Sequence, residues 1–130
     1  MDITVSEEQV RVPVTVFKIA GAITDNQDLE QRAQEVFDRG GRNLLLDLSA
    51  VPYIATSGLR ALHAIYVLLR TNAPEESDAA VKAGIAAGTY MSPHLKLLDP
   101  SPHVFEALKA AGYDMFLEIH RNRKQALESF

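Results

Sequence analysis

The chain opens with two runs of alternating apolar and polar residues, ITVSEE from Ile3 and RVPVTVFKIAG from Arg11. A period of two is the pattern of a strand with distinct faces. In the second run Val12, Val14 and Val16 share one face, while Phe17 and Ile19 lie on the other. Pro13 lacks a backbone donor, which places it at a sheet edge or at the first position of its strand. Glu7, Glu8 and Gln9 read as the connection between the two strands, and Gly21 ends the second. The period then becomes helical: Leu29, Ala33, Val36 and Phe37 form one stripe, closed by Gly40 and Gly41. Thr24, with Gln27 three residues later, reads as a capping box for this helix. Asp25 and Asp28 suit its positive end.

NLLLDLS, from Asn43, is almost continuously apolar, as a strand covered on both faces requires. From Ser57 to about Arg70 a second helical stripe of Leu59, Leu62, Tyr66 and Leu69 is widened by Ala61, Ile65 and Leu68, so this helix should be largely buried. The pattern weakens over about residues 71–93, which hold Pro74 and the acids Glu75, Glu76 and Asp78. A short helix from about Ser77 and a long mobile connection are both compatible with it. HLKLLD reads as a short strand. Ser101 and Pro102 open a helix with Val104, Phe105, Leu108 and Ala111 on its apolar face, up to Gly112. DMFLEIH reads as the last strand, with Met115, Leu117 and Ile119 alternating, and RNRKQALESF adds a terminal helix. The expectation is one α/β domain over residues 1–130: a mixed, mainly parallel sheet of about five strands with four to five helices, joined by right-handed crossovers.

Composition narrows the function more than the fold. The 130 residues hold no cysteine, which removes disulfides, thiolate chemistry and cysteine-ligated zinc. A net charge of −4 gives no reason to expect direct nucleic-acid or membrane binding. The N-terminus lacks the basic flank and apolar run of a signal peptide, and no 18-residue apolar window exists, so a cytoplasmic protein is expected. His63, His94, His103 and His120 share no ligand spacing, so no metal site is expected, and no cofactor motif stands in the chain. His63 lies near the buried face of its helix and reads as a packed histidine. It is also six residues from Ser57 on one helix, a rise of about 9 Å, too far for a nucleophile–base pair. Met91 and Met115 read as core filler. Arg121, Arg123 and Lys124 read as a solvated chain end.

The chemistry concentrates in DLSAVPYIATSGLRAL, from Asp47 to Leu62. Thr56 and Ser57 follow a buried strand and precede a helix. Either hydroxyl suits a helix cap, accepting from the unpaired N–H groups of the first turn. Gly58 suits close passage of the helix start past a neighbour, and Asp47 suits a turn, accepting backbone N–H bonds. The same place suits a phosphate, whose charge of about −1.5 to −2 would meet the positive end of the helix.

This segment resembles the signature of STAS domains, and among them the bacterial anti-sigma factor antagonists. That signature is a strand ending Asp-Leu-Ser, a short loop with an aromatic residue, and Asp-Ser-Ser-Gly-Leu entering a helix. Here it reads Asp47-Leu48-Ser49, then Val51 and Tyr53-Ile54, then Ala55-Thr56-Ser57-Gly58-Leu59. The resemblance extends through the order of elements to KLLDPSPHVFEALKAAGYDMFLEI. It implies a non-catalytic partner-switching protein. Ser57, more than Thr56, would be phosphorylated by an anti-sigma factor that is also a serine protein kinase, and a phosphoserine phosphatase would reverse the modification. The implied contact patch is Tyr53, Thr56, Ser57, Gly58 and Leu59, with Arg60 and His63 at its rim.

Two departures keep alternatives open. Ala55 stands where the family has an acid, and the 71–93 connection is long for a compact member. A non-phosphorylated scaffold or small-ligand module of a signalling complex is the second reading, and an enzyme using Ser57 the third. The oligomeric state, a homodimer included, is left open.

Overall fold

The computed structural model describes residues 1–70, 77–87 and 90–130. Strands β1 (Asp2–Gln9) and β2 (Pro13–Ala20) form an antiparallel pair in which Asp2 faces Ala20 and Gln9 faces Pro13. Glu7, Glu8 and Gln9 thus extend β1 instead of bridging, since polar side chains on an edge strand can point to solvent. Pro13 is the first residue of β2, where its missing donor costs no ladder bond. Helix α1 (Gln27–Asp38) leads to β3 (Leu44–Ala50), and α2 (Thr56–Arg70) follows it. Then come α3 (Asp78–Ala87), β4 (Leu95–Leu98), α4 (Pro102–Ala110), a 3₁₀ turn (Tyr113–Met115), β5 (Ile119–His120) and α5 (Arg123–Glu128). The sheet has five strands in the order β1-β2-β3-β4-β5, with every pair after the first parallel.

The period-two reading of β2 separates two cores. Phe17 and Ile19 join Leu44, Leu46, Leu48, Leu95 and Leu97 beneath apolar residues of α1, α2 and α4. Val14 and Val16 face the other way, with Leu45 and Leu98, against Ala126 and Leu127 of α5. That second face also holds Lys96, only 3% exposed. Its ammonium donates to the Ser129 carbonyl at 2.7 Å and the Ser129 hydroxyl at 3.1 Å, and it pairs with Glu118 at 3.0 Å. A buried charge needs such partners, and here they anchor the chain beyond α5 to the sheet.

Four local expectations are corrected. The first turn of α1 takes no side-chain cap from Thr24. The helix starts at Gln27 behind Asn26, and the Asp25 carboxylate accepts from the Gln27 N–H at 2.7 Å. DMFLEIH forms only a two-residue strand. Gly112, at φ +80°, reverses the chain, and the Leu117 N–H bonds back to the Tyr113 carbonyl at 3.0 Å. Met115 therefore projects into solvent, 75% exposed, and Met91 is 42% exposed, so neither is core filler. Ala111 lies past the end of α4 and is exposed; Ala107 takes its place against the core. Of the 71–93 connection, α3 accounts for the short helix expected near Ser77, whereas Glu75, Glu76 and the rest of 71–76 lie outside the described residues, as do 88–89.

Candidate functional site

The site forms where β3 ends, at the carboxyl edge of the parallel strands. Asp47, buried, accepts from the Ser49 N–H at 3.0 Å and the Ser49 hydroxyl at 2.7 Å, both within the last residues of the strand. The following loop is clamped by a parallel bridge between Ile23 and Ile54. In it the Ile23 N–H donates to the Tyr53 carbonyl at 2.9 Å, and the Ala55 N–H to the Ile23 carbonyl at 2.8 Å. Ile54 consequently turns inward, 4% exposed, while Tyr53 remains 47% exposed with its ring 5.9 Å from that of His103.

Helix α2 begins against this clamp. A Cβ added to Gly58 would lie 2.7 Å from an Ile54 side-chain atom, and 2.8 Å from both the Ile23 side chain and the Ile23 carbonyl oxygen. Only a residue without a side chain fits there. The glycine is required by space, since backbone oxygen cannot swing aside as a side-chain tip can.

Thr56 is exposed and Ser57 half-buried. The Ser57 hydroxyl donates to the Thr24 carbonyl at 2.7 Å, across 33 residues of sequence. It reaches sideways to the segment before α1. Leu59 is half-buried, and its carbonyl accepts from the Tyr113 hydroxyl at 2.7 Å. Burial raises the Tyr113 pKa above its ordinary 10.0, because phenolate would lose hydration. Arg60 is exposed, and so is His63, contrary to the expectation of a packed histidine. The buried residues of α2 are Gly58, Ala61, Leu62, Ile65, Tyr66 and Leu69, which leaves position 63 on the open flank beside Tyr66.

Tyr53, Thr56, Ser57, Gly58, Leu59, Arg60 and His63 thus all lie on one loop and the first two turns of one helix, with Gly58 buried beneath the rest. The structure adds residues that no local pattern signals. Ile23 and Thr24 come from the segment before α1, Ser101 and His103 from the start of α4, and Tyr113 from the 3₁₀ turn. The Ser101 hydroxyl donates to the Val51 carbonyl at 2.9 Å and holds the two loops together.

The four histidines are dispersed: His94 contacts Asn43, His120 contacts Glu118, His103 faces Tyr53, and His63 faces Tyr66. Among the described residues no three acids or histidines are grouped to hold a metal ion, and no helix is long and apolar enough to cross a membrane. Arg121 and Arg123 are tied into exposed ion pairs with Asp99 and Glu8.

The family model of the STAS domain matches residues 6–74, from β1 through the whole of α2. The chain belongs to the STAS domain family. Solved STAS-fold structures align over almost its full length. An anti-sigma factor antagonist from Mycobacterium paratuberculosis has a TM-score of 0.69 at 22% identity, covering 98% of this chain and 93% of its own. A putative anti-sigma factor antagonist from Thermotoga maritima has a TM-score of 0.64 at 17% identity, covering 95% and 92%. The Bacillus cell-fate determinant SpoIIAA, in its phosphorylated form, has a TM-score of 0.58 at 15% identity, covering 96% and 97%. At these identities the likeness is one of fold. A search of curated proteins gives no match.

Proposed function

We propose that this single STAS domain is a non-catalytic anti-sigma factor antagonist of the cytoplasm, switched by phosphorylation of Ser57. Its partner would be an anti-sigma factor that is also a serine protein kinase, and a phosphoserine phosphatase would reset it. The observation that carries the reading is the placement of Thr56 and Ser57 at the open start of α2, inside the segment matched by the family model. The fold shared with proteins described as anti-sigma factor antagonists supports it. A phosphate on Ser57 would carry about −1.5 to −2 charges beside exposed Arg60 and Tyr53, altering the surface a partner reads. Its position at the positive end of α2 limits the cost to the fold.

Ala55 stands where family members carry an acid before the two hydroxyls; if that acid positions the loop for the kinase, phosphorylation of Ser57 would be slow or absent. Phosphosite mass spectrometry on protein drawn from its native cells, with co-purified partners identified in the same run, tests the reading. The expected result is condition-dependent phosphate on Ser57 with an ATP-binding kinase among the partners. Ser57 unmodified in every state, together with equal kinase binding by Ser57→Ala and Ser57→Glu, would overturn it and favour a non-phosphorylated scaffold.

A further inference from the structure

The proton of the Ser57 hydroxyl already has a partner before any phosphate arrives. It donates to the Thr24 carbonyl at 2.7 Å, a contact at the protein surface. The segment it reaches is held in two different ways. Ile23 is buried and clamped by backbone, through its N–H to Tyr53, its carbonyl to Ala55, and the close approach of Gly58. Thr24 and Asp25 are exposed. Beyond them the Asp25 carboxylate holds the Gln27 N–H at 2.7 Å, and Leu29, fully buried, fixes the first turn of α1.

We infer that phosphorylation of Ser57 unlatches the Thr24–Asn26 turn from α2 while leaving the Ile23–Ile54 clamp closed. The inference rests on the reading of Ser57 as the modified residue. In the transfer, a bond forms between the Ser57 oxygen and the γ-phosphorus of a nucleoside triphosphate. The bond from that phosphorus to the β–γ bridging oxygen breaks, the diphosphate leaves, and the hydroxyl proton passes to a kinase base or to water. The ester oxygen then has no hydrogen to donate. It faces a carbonyl oxygen, an acceptor as well, and the attached dianion repels that carbonyl. Two acceptors do not stay 2.7 Å apart without a proton between them. The turn has solvent on its far side and moves; Ile23, bonded on both sides of its peptide, does not. Modification of α2 is therefore reported at a second place, the approach to α1.

Isotope-labelled protein with phosphoserine installed at position 57 during translation tests this without any kinase. Carbon-13 and nitrogen-15 spectra should show an upfield shift of the Thr24 carbonyl carbon, a moved Asp25 amide, and about five- to tenfold faster hydrogen exchange at Gln27, the scale of one lost hydrogen bond. The Ala55 and Ile23 amides should keep their exchange rates. Ser57→Ala, which removes the donor without adding charge, should shift the Thr24 carbonyl in the same direction. An unmoved Thr24 carbonyl in the phosphoserine protein would overturn the inference, as would faster exchange at Ala55 and Ile23. Because the phosphate is installed directly, a lack of Ser57 phosphorylation in cells would sink the proposed function and leave this result standing.

Discussion

Of the helices that start at the carboxyl edge of this sheet, α2 and α4 use their first residues differently. Helix α2 follows β3 and opens Thr56-Ser57-Gly58; α4 follows β4 and opens Pro102-His103-Val104 behind Ser101. Each start has a serine hydroxyl, and neither caps its own helix: Ser57 donates to Thr24, and Ser101 donates to Val51. The difference is in what the bonds serve. The Ser101 bond is partly buried and ends on a carbonyl of Val51, itself 1% exposed. The Ser57 bond lies at the surface and ends on exposed Thr24. At the third helical position α4 fills its space with Val104, whereas α2 has Gly58 pressed against Ile23 and Ile54. The α4 start is built for permanence. The α2 start is a tightly seated base carrying a hydroxyl bonded at the surface.

The sharpest way to break this comparison is at the base. Gly58→Ala should destabilise the protein by about 2–3 kcal/mol, because the added methyl meets backbone oxygen as well as side chains. Urea unfolding checks it, and a change under about 0.5 kcal/mol would show that the α2 start is not tightly seated.

Next is the buried tie. Ser101→Ala leaves the Val51 carbonyl without that donor and away from water, and should cost about 1–1.5 kcal/mol in the same measurement.

Tyr113→Phe removes the bond to the Leu59 carbonyl and should cost about 0.5–1 kcal/mol near neutral pH. It also has a pH signature. The Tyr113 pKa is raised above 10.0 in the folded state, so between those two values the unfolded chain has lost a proton that the fold retains. Stability from this group is full below pH 10 and falls as pH rises through the folded pKa. The Phe variant should show a shallower alkaline decline than the parent, and parallel curves would contradict the burial of the phenol.

Smallest is Ser57→Ala. Water can replace the hydroxyl at the exposed Thr24 carbonyl, so unfolding stability should stay within about 0.5 kcal/mol of the parent. A loss equal to that of Ser101→Ala would erase the distinction between the two starts.

Legibility in the sequence followed the range of the interactions. The two faces of β2 were readable because alternate residues point to opposite sides of any strand, whatever it pairs with. The α2 stripe is readable for the same kind of reason, although its margin is not, and His63 falls on the exposed side of it. The Thr-x-x-Gln spacing from Thr24 is right for a cap, but the neighbouring Asp25 serves Gln27 and the helix begins later. Alternation over DMFLEIH looks strand-like and puts Met115 inside, whereas Gly112 reverses the chain and the 3₁₀ turn spends three residues outside the sheet. For the site, the contributing loop and helix were legible from Asp47 to Leu62. The residues that complete it were not.

The sequence by itself determined the alternation of strands and helices, which faces are apolar, the glycine at position 58 and the neighbouring hydroxyls, since all of these are fixed by spacing within one element. Only the tertiary structure decided what those hydroxyls do. Setting β3 beside β2 brings Ile23 and Thr24 to the start of α2, and setting β4 beside β3 brings Ser101 to Val51. A hydroxyl chooses its partner within about 3 Å, and the order of strands, not the order of residues, decides which carbonyl lies there.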